Sequence, residues 1–409
     1  MNTLTSQKNT RVAMTILAVA LIASGMGHAF LLISMPGLSR AMGFSDIQGG
    51  IIVSFSSLIF TMSALFWGRL CERIGRRKVI LLGTFAIAFF TCITAVVIEC
   101  RLLTLLSVQG GFYGLLLIRA LNAAFTGGIK PGAQAFIVDC TSPEKRARGM
   151  GLLGACYGIG SILGGLVAMS TGAEFQLVGF LSVSLLISIA CAFAYLYLPE
   201  SKPVSELMVV LQPINLRPFI PYLLITLMSL IIFSILQQIM TLRLQDGFLL
   251  DLDFAMRFSG GIMMATMVMM IIFQGFVLRW LSWPAQHLLG LGSIIILCAM
   301  IAASIASNPL QLLLAMILFG CGTGLLLPAN LTLLSLQANK NQQAHIAGVN
   351  GVLQGIGLSI GPVAGATLHQ VSFIAPFVLA TFMAVIILLI AFFSSVYSII
   401  MMEMDFEHI

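Results

Sequence analysis

Long apolar runs separated by short polar stretches fill nearly the whole chain. Twelve are legible: 12–34, 47–67, 79–99, 111–138, 149–170, 175–198, 217–242, 257–279, 285–306, 310–336, 346–369 and 372–401. About 20 apolar residues cross the hydrocarbon core, and backbone groups there must bond within the segment. Each run therefore predicts a membrane-spanning helix. A β-barrel would show short alternating segments instead. The first run reads as a span and not as a signal peptide, because no small-residue cleavage site followed by a soluble body comes after it.

The longest polar interruption, 199–216, contains Pro199, Pro203 and Pro213 and reads as a cytosolic linker. It divides the chain into six-helix halves, 1–198 and 217–409. The halves echo each other. Gly154, Gly160, Gly164 and Gly165 of the fifth run match Gly355, Gly361, Gly365 and Ala366 of the eleventh, all at an offset of 201. Gly127 and Pro131 of the fourth run match Gly324 and Pro328 of the tenth at an offset of 197. Small residues four apart let helices approach closely in lipid, which explains most of these glycines without a ligand.

Composition agrees with the pattern: 59% of residues are hydrophobic and only 8% charged. Lys and Arg are distributed unevenly. Fourteen fall in stretches on one side and four (Arg40, Arg101, Arg243 and Arg257) on the other. The excess side is cytosolic by the positive-inside rule, so both termini are expected in the cytosol. The net charge of +6 thus reflects topology and does not point to nucleic acid. The eight cysteines show no CxxC and read as apolar filler, with no metal site.

The densest knot of charge is Gly68-Arg69-Leu70-Cys71-Glu72-Arg73-Ile74-Gly75-Arg76-Arg77-Lys78, between the second and third runs. Its order of glycine, acid, arginine, glycine and two basic residues resembles the signature loop of the major facilitator superfamily, with Glu72 where that family usually has Asp. Gly348, Gly357, Gly361, Pro362, Gly365 and Ala366 fit the glycine-proline pattern typical of its antiporters. That pattern normally sits in the fifth span, where Ser161 here replaces the proline. The stretch from Asp139 to Gly149 looks like the fourth-to-fifth connection of drug:proton antiporters, including tetracycline exporters. The resemblance implies an all-α integral membrane fold of twelve helices in two pseudo-symmetric bundles. It also implies alternating access, a proton as coupling ion, a monomer in the bacterial inner membrane, and no cofactor. Within it, Gly68 and Gly75 allow the turn. Glu72, Arg73, Arg76, Arg77 and Asp139 are expected to form a cytosolic switch holding the second span against the fourth and eleventh. The glycines are expected to pack the fifth span on the eighth and the second on the eleventh.

An ionisable residue at membrane depth is a functional candidate. On the fourth span Arg119, Asn122, Thr126, Lys130 and Gln134 are spaced 3, 4, 4 and 4, so they share one helix face. Lys130 precedes Asp139 by nine residues, about 13 Å of helix, which places it near the midplane. Pro131-Gly132 follows and is expected to loosen the local ladder. Arg119 matches the fourth-span arginine of the drug exporters, with Asn122-Ala123 replacing its usual neighbours. The bland alternative for Lys130 is an ammonium paired with carbonyls freed by Pro131.

Further polar candidates for a substrate cavity are Ser24 and His28, Gln237, Gln238 and Thr241, Asn330, Asn350 and Gln354. Interhelical hydrogen bonds are the alternative for each. Gln237 and Gln238 are adjacent, so at most one points inward. No Asp or Glu lies in the middle of a run. Aligned on Met35-Pro36-Gly37, Ser24 stands where tetracycline exporters carry an acid. Arg119 and Lys130 therefore lack a buried counter-charge, which favours an anionic or carboxylate-bearing substrate such as a drug or siderophore. Proton coupling would fall to His28 or to a desolvated Lys130. Export is the first reading and proton-symport uptake of an organic anion the second. A membrane enzyme or receptor is disfavoured, since no convergent acid–base or metal set and no soluble domain is present.

Overall fold

A computed structural model describes residues 2–140, 143–200, 215–280, 283–339 and 342–407. Most of the expected linker and the side chains of Lys8, Arg11, Lys145, Arg146, Arg148, Lys202, Arg279 and Lys340 lie outside the described residues. Among the described residues there are helices and no strand. Twelve helices are long and apolar enough to span a bilayer: Val12–Ala41, Asp46–Ile74, Arg76–Leu102, Val108–Asp139, Gly149–Thr171, Gln176–Tyr197, Arg217–Phe248, Leu252–Val277, Ala285–Ile305, Pro309–Gln337, His345–Val371 and Ala375–Phe393. They are called the first to twelfth spans below.

Local chemistry sets the ends. The second span starts at a capping box, in which Ser45 Oγ accepts from the Gln48 amide and Gln48 Oε1 accepts from the Ser45 amide. It ends at Gly75, whose φ of +95° is open to glycine at little cost. Gly75 alone makes the turn into the third span. Gly68 lies inside the second helix, so the expectation that both glycines form the turn holds only for Gly75.

The chain forms two compact units, Met1–Met208 with Leu250–Met264, and Val209–Leu249 with Ala265–Ile409. Residues 250–264, at the start of the eighth span, belong to the first unit. Within the first unit the first span packs on the fifth and sixth, and the third on the fourth and sixth. Within the second unit the seventh span packs on the eleventh and twelfth, and the ninth on the tenth and twelfth. Each of these four pairings recurs six spans later.

The glycines show the same recurrence in atomic detail. Gly160 faces the Ile22 carbonyl and Met26 amide of the first span, and Gly361 faces the Ile231 carbonyl and Ile235 amide of the seventh. Gly164 sits on Met26 and Phe30, and Gly365 on Ile235 and Ile239. This register makes His28 the counterpart of Gln237. Gly357 packs on Leu227 and Leu230, and Gly165 on Met264 at the start of the eighth span. Pro362 is buried inside its helix. Gly154 is exposed, with nothing within 4 Å of the position a Cβ would take, so it packs no helix among the described residues.

Candidate functional site

The fourth span is two helices, Val108–Thr126 and Ile129–Cys140, broken at Gly127-Gly128. Second-span side chains take up carbonyls at the break. Ser63 Oγ donates to the Ala123 carbonyl at 3.0 Å, and Trp67 Nε1 to the Ala124 carbonyl at 2.6 Å. Close approach requires both glycines: Gly127 lies against the Phe60 carbonyl and Ala64 amide, Gly128 against Trp67 and Val79. The break precedes Pro131, contrary to the expectation that Pro131-Gly132 loosens the ladder. Pro131 is the third residue of the second segment, where an amide has no intrahelical acceptor, so its missing N–H costs little.

Restarting the helix at Ile129 puts Lys130 in its first turn. The Lys130 ammonium lies 4.5 Å from the centroid of the Tyr157 ring on the fifth span. The His28 ring of the first span is 6.3 Å from Tyr157 and 6.0 Å from Phe60 of the second, tilted by 48° and 34°. Gly25, one turn before His28, rests directly on the Tyr157 carbonyl and fixes this approach. A series of contacts through four spans thus runs from Phe60 through His28 and Tyr157 to the ammonium.

Lys130 and Gln134 are exposed, whereas Arg119, Asn122 and Thr126 are buried. Arg119 is only 6% exposed and its Nε has no hydrogen-bond partner. Among the described residues neither Arg119 nor Lys130 is paired with a carboxylate.

The remaining candidates are scattered. Ser24 is buried and back-bonds to the Ala20 carbonyl at 2.7 Å. Asn330 donates to the Tyr222 carbonyl and to Thr226 Oγ1, both at 2.9 Å, and is thus engaged across helices. Gln237 and Gln238 are both buried, and neither Gln238 amide atom has a partner. Asn350 is buried, and Gln354 is exposed.

Of the expected cytosolic cluster, the structure brings together Arg76 and Asp139, with Nε and Oδ2 3.0 Å apart and both side chains buried. Arg77 instead donates to the Tyr195 carbonyl at 2.6 Å and lies over that ring. Glu72 and Arg73 are exposed and have no ion pair among the described residues.

The sequence reading missed Tyr157, Phe60, Ser63 and Trp67. Tyr157 had a usable signal: it precedes Gly160 by three residues and Gly164 by seven, which puts it on the face that seats the first span.

A sequence profile described as Major Facilitator Superfamily matches residues 17–362. The chain is 23% identical over 377 residues to multidrug resistance protein 1 of Bacillus subtilis, covering 90% of this chain and 93% of that one. It is 27% identical over 356 residues to the multi-drug resistance efflux pump PmrA of Streptococcus pneumoniae, covering 81% and 83%. The fold matches an inward-facing, unoccupied bacterial homologue of the human lysosomal transporter Spinster with a TM-score of 0.76 at 14% identity, covering 95% and 97%.

Proposed function

The chain belongs to the Major Facilitator Superfamily, and on that premise we propose that it exports a small organic anion by alternating access, driven by a proton gradient. It is a multi-pass membrane transporter and not an enzyme. The observation that carries the proposal is the pair of unpaired cations, Arg119 and Lys130, on a span with no carboxylate opposite them. An exposed ammonium facing lipid at this depth would cost several kcal/mol. Its closeness to Tyr157 of the fifth span supports an inward orientation, in which a carboxylate-bearing solute can pair with it. The export direction follows the relatives named multidrug resistance protein and efflux pump. Cytosolic termini are supported by the Lys and Arg distribution, and a bacterial inner membrane by the bacterial relatives. The Arg76–Asp139 pair is proposed as the part of the cytosolic switch that is formed in this state.

The test is uptake of a labelled organic anion into inverted membrane vesicles, with and without an imposed pH gradient. Wild-type protein should accumulate it only with the gradient. Lys130→Gln, at equal membrane abundance, should lower uptake about tenfold, as expected for losing one desolvated charge-assisted contact. Wild-type rates in Lys130→Gln would remove the anion assignment. Accumulation only in right-side-out vesicles would replace export by uptake.

A further inference from the structure

We propose that the anion carries a flat aromatic ring next to its charged group, and that Tyr157 selects for that ring; this rests on the anion reading above. The ammonium of Lys130 has a ring face as its neighbour where a carboxylate would be the stronger partner. A bound anion therefore draws Lys130 off the ring and leaves the Tyr157 face free. The Tyr157, His28 and Phe60 rings are each half-buried, so each keeps accessible surface. Neither His28 pair, with Phe60 or with Tyr157, is stacked face to face, with tilts of 34° and 48° at 6.0 and 6.3 Å. Such a splayed set leaves ring surface for a fourth ring.

The arrangement is rigidly built. Gly25 rests on the Tyr157 backbone, Gly160 on Ile22 and Met26, and Gly164 on Met26 and Phe30. Contact between backbones at three successive turns leaves the first and fifth spans little freedom to slide, so His28 and Tyr157 keep their spacing.

Three ligand classes are separated by this chemistry. Lipophilic cations suit the rings but meet Lys130 and Arg119 with like charge. Aliphatic anions satisfy the ammonium but not the rings. Only an aromatic anion uses both.

The experiment uses the full chain in proteoliposomes and two permanently charged probes, 1-naphthalenesulfonate and hexanesulfonate, which carry equal charge and do not cross as neutral acids. Wild-type protein should have the lower KM for 1-naphthalenesulfonate. Tyr157→Leu should raise that KM about 3- to 10-fold, the range an aromatic pair supplies, with hexanesulfonate unchanged. Tyr157→Phe, which keeps the ring, should retain the preference. Equal KM values for the two probes in wild-type protein overturn the inference without any variant, and leave anion transport standing. The same follows if Tyr157→Leu moves both probes equally. Should Tyr157→Leu not fold, Phe60→Leu and the wild-type ratio decide. Transport of neither sulfonate overturns the anion reading itself, and the ring assignment falls with it.

Discussion

Asp139→Asn tests whether the Arg76–Asp139 contact stabilises the cytosolic end of the first unit. The two side chains are 7% and 8% exposed, and the nearest atoms are 3.0 Å apart. Removing one partner of a buried pair leaves the other charge uncompensated, at about 3–5 kcal/mol. The low end applies here. Nε and Oδ2 are close but too poorly aligned to hydrogen-bond, so the attraction is Coulombic only. Arg76 also keeps a bond from Nη1 to the Cys71 carbonyl at 3.3 Å. A loss of about 3 kcal/mol should lower the melting temperature of purified protein by about 6–12 °C. The double variant Arg76→Met with Asp139→Leu replaces charge by matched apolar volume. It should recover most of the loss, because pairs of this kind are often no more stable than well-packed hydrophobic residues. Glu72→Gln, on an exposed side chain, should stay within about 0.5 kcal/mol of wild type. Melting curves read by intrinsic fluorescence suffice. An unchanged melting point for Asp139→Asn, or a double variant worse than both singles, would refute the reasoning.

Four further outcomes follow from the same geometry. At Gly361 an added methyl would meet the Ile231 carbonyl at 2.8 Å and the Ile235 amide at 2.9 Å, so Gly361→Ala should cost about 1–3 kcal/mol of thermal stability. Gly154→Ala meets nothing within 4 Å and should gain about 0.5–1 kcal/mol from helix propensity; a loss there would show a contact outside the described residues. Trp67→Phe deletes the donor to the Ala124 carbonyl and should cost about 1–3 kcal/mol, with faster deuterium uptake at 127–132 as the local readout. Asp253 accepts from the Ala173 amide at 2.7 Å and the Glu174 amide at 3.1 Å, and also holds Arg257 at 2.6 Å. Asp253→Asn should therefore speed deuterium exchange at 172–176; unchanged exchange there would remove the capping role.

The spans were legible because membrane burial writes itself as uninterrupted apolar length, which needs no knowledge of partners. The repeat was legible for a similar reason: Gly160 and Gly361 must both admit a neighbouring backbone, and only glycine does so. What the sequence hid depends on partners far along the chain. The break at Gly127-Gly128 needs Ser63 and Trp67, some sixty residues earlier, and Pro131 drew the attention that belonged to the glycine pair. Asn330 looked like a cavity residue because its partners, Tyr222 and Thr226, stand on another span. Arg77 belonged by composition to the charged knot, yet Tyr195 takes it away. The polar spacing from Arg119 to Gln134 could be read from the sequence; the break that splits it after Thr126 and the rings near Lys130 could not.

The two halves differ where the proposed site lies. At the offset that aligns Gly127 with Gly324, Arg119, Asn122, Lys130 and Gln134 correspond to Met316, Phe319, Leu327 and Leu331, while Thr126 keeps a threonine, Thr323. The tenth span has thus lost the cations. Gly128 corresponds to Leu325, which removes the second small residue, and the tenth helix runs unbroken through Pro328 from Pro309 to Gln337. Break and charge occur together in the fourth span and are absent together in the tenth. A continuous helix there would carry Lys130 at its interior; the restart carries it in a first turn, where backbone amides have no intrahelical acceptors. For the anion proposed at Lys130, this helix N-terminus would add to the attraction. Gly128→Leu, which copies the tenth span, should therefore weaken anion transport beyond what its packing cost against Trp67 and Val79 explains. The comparison that decides is transport per folded molecule: an unchanged value would show that the restart serves packing alone.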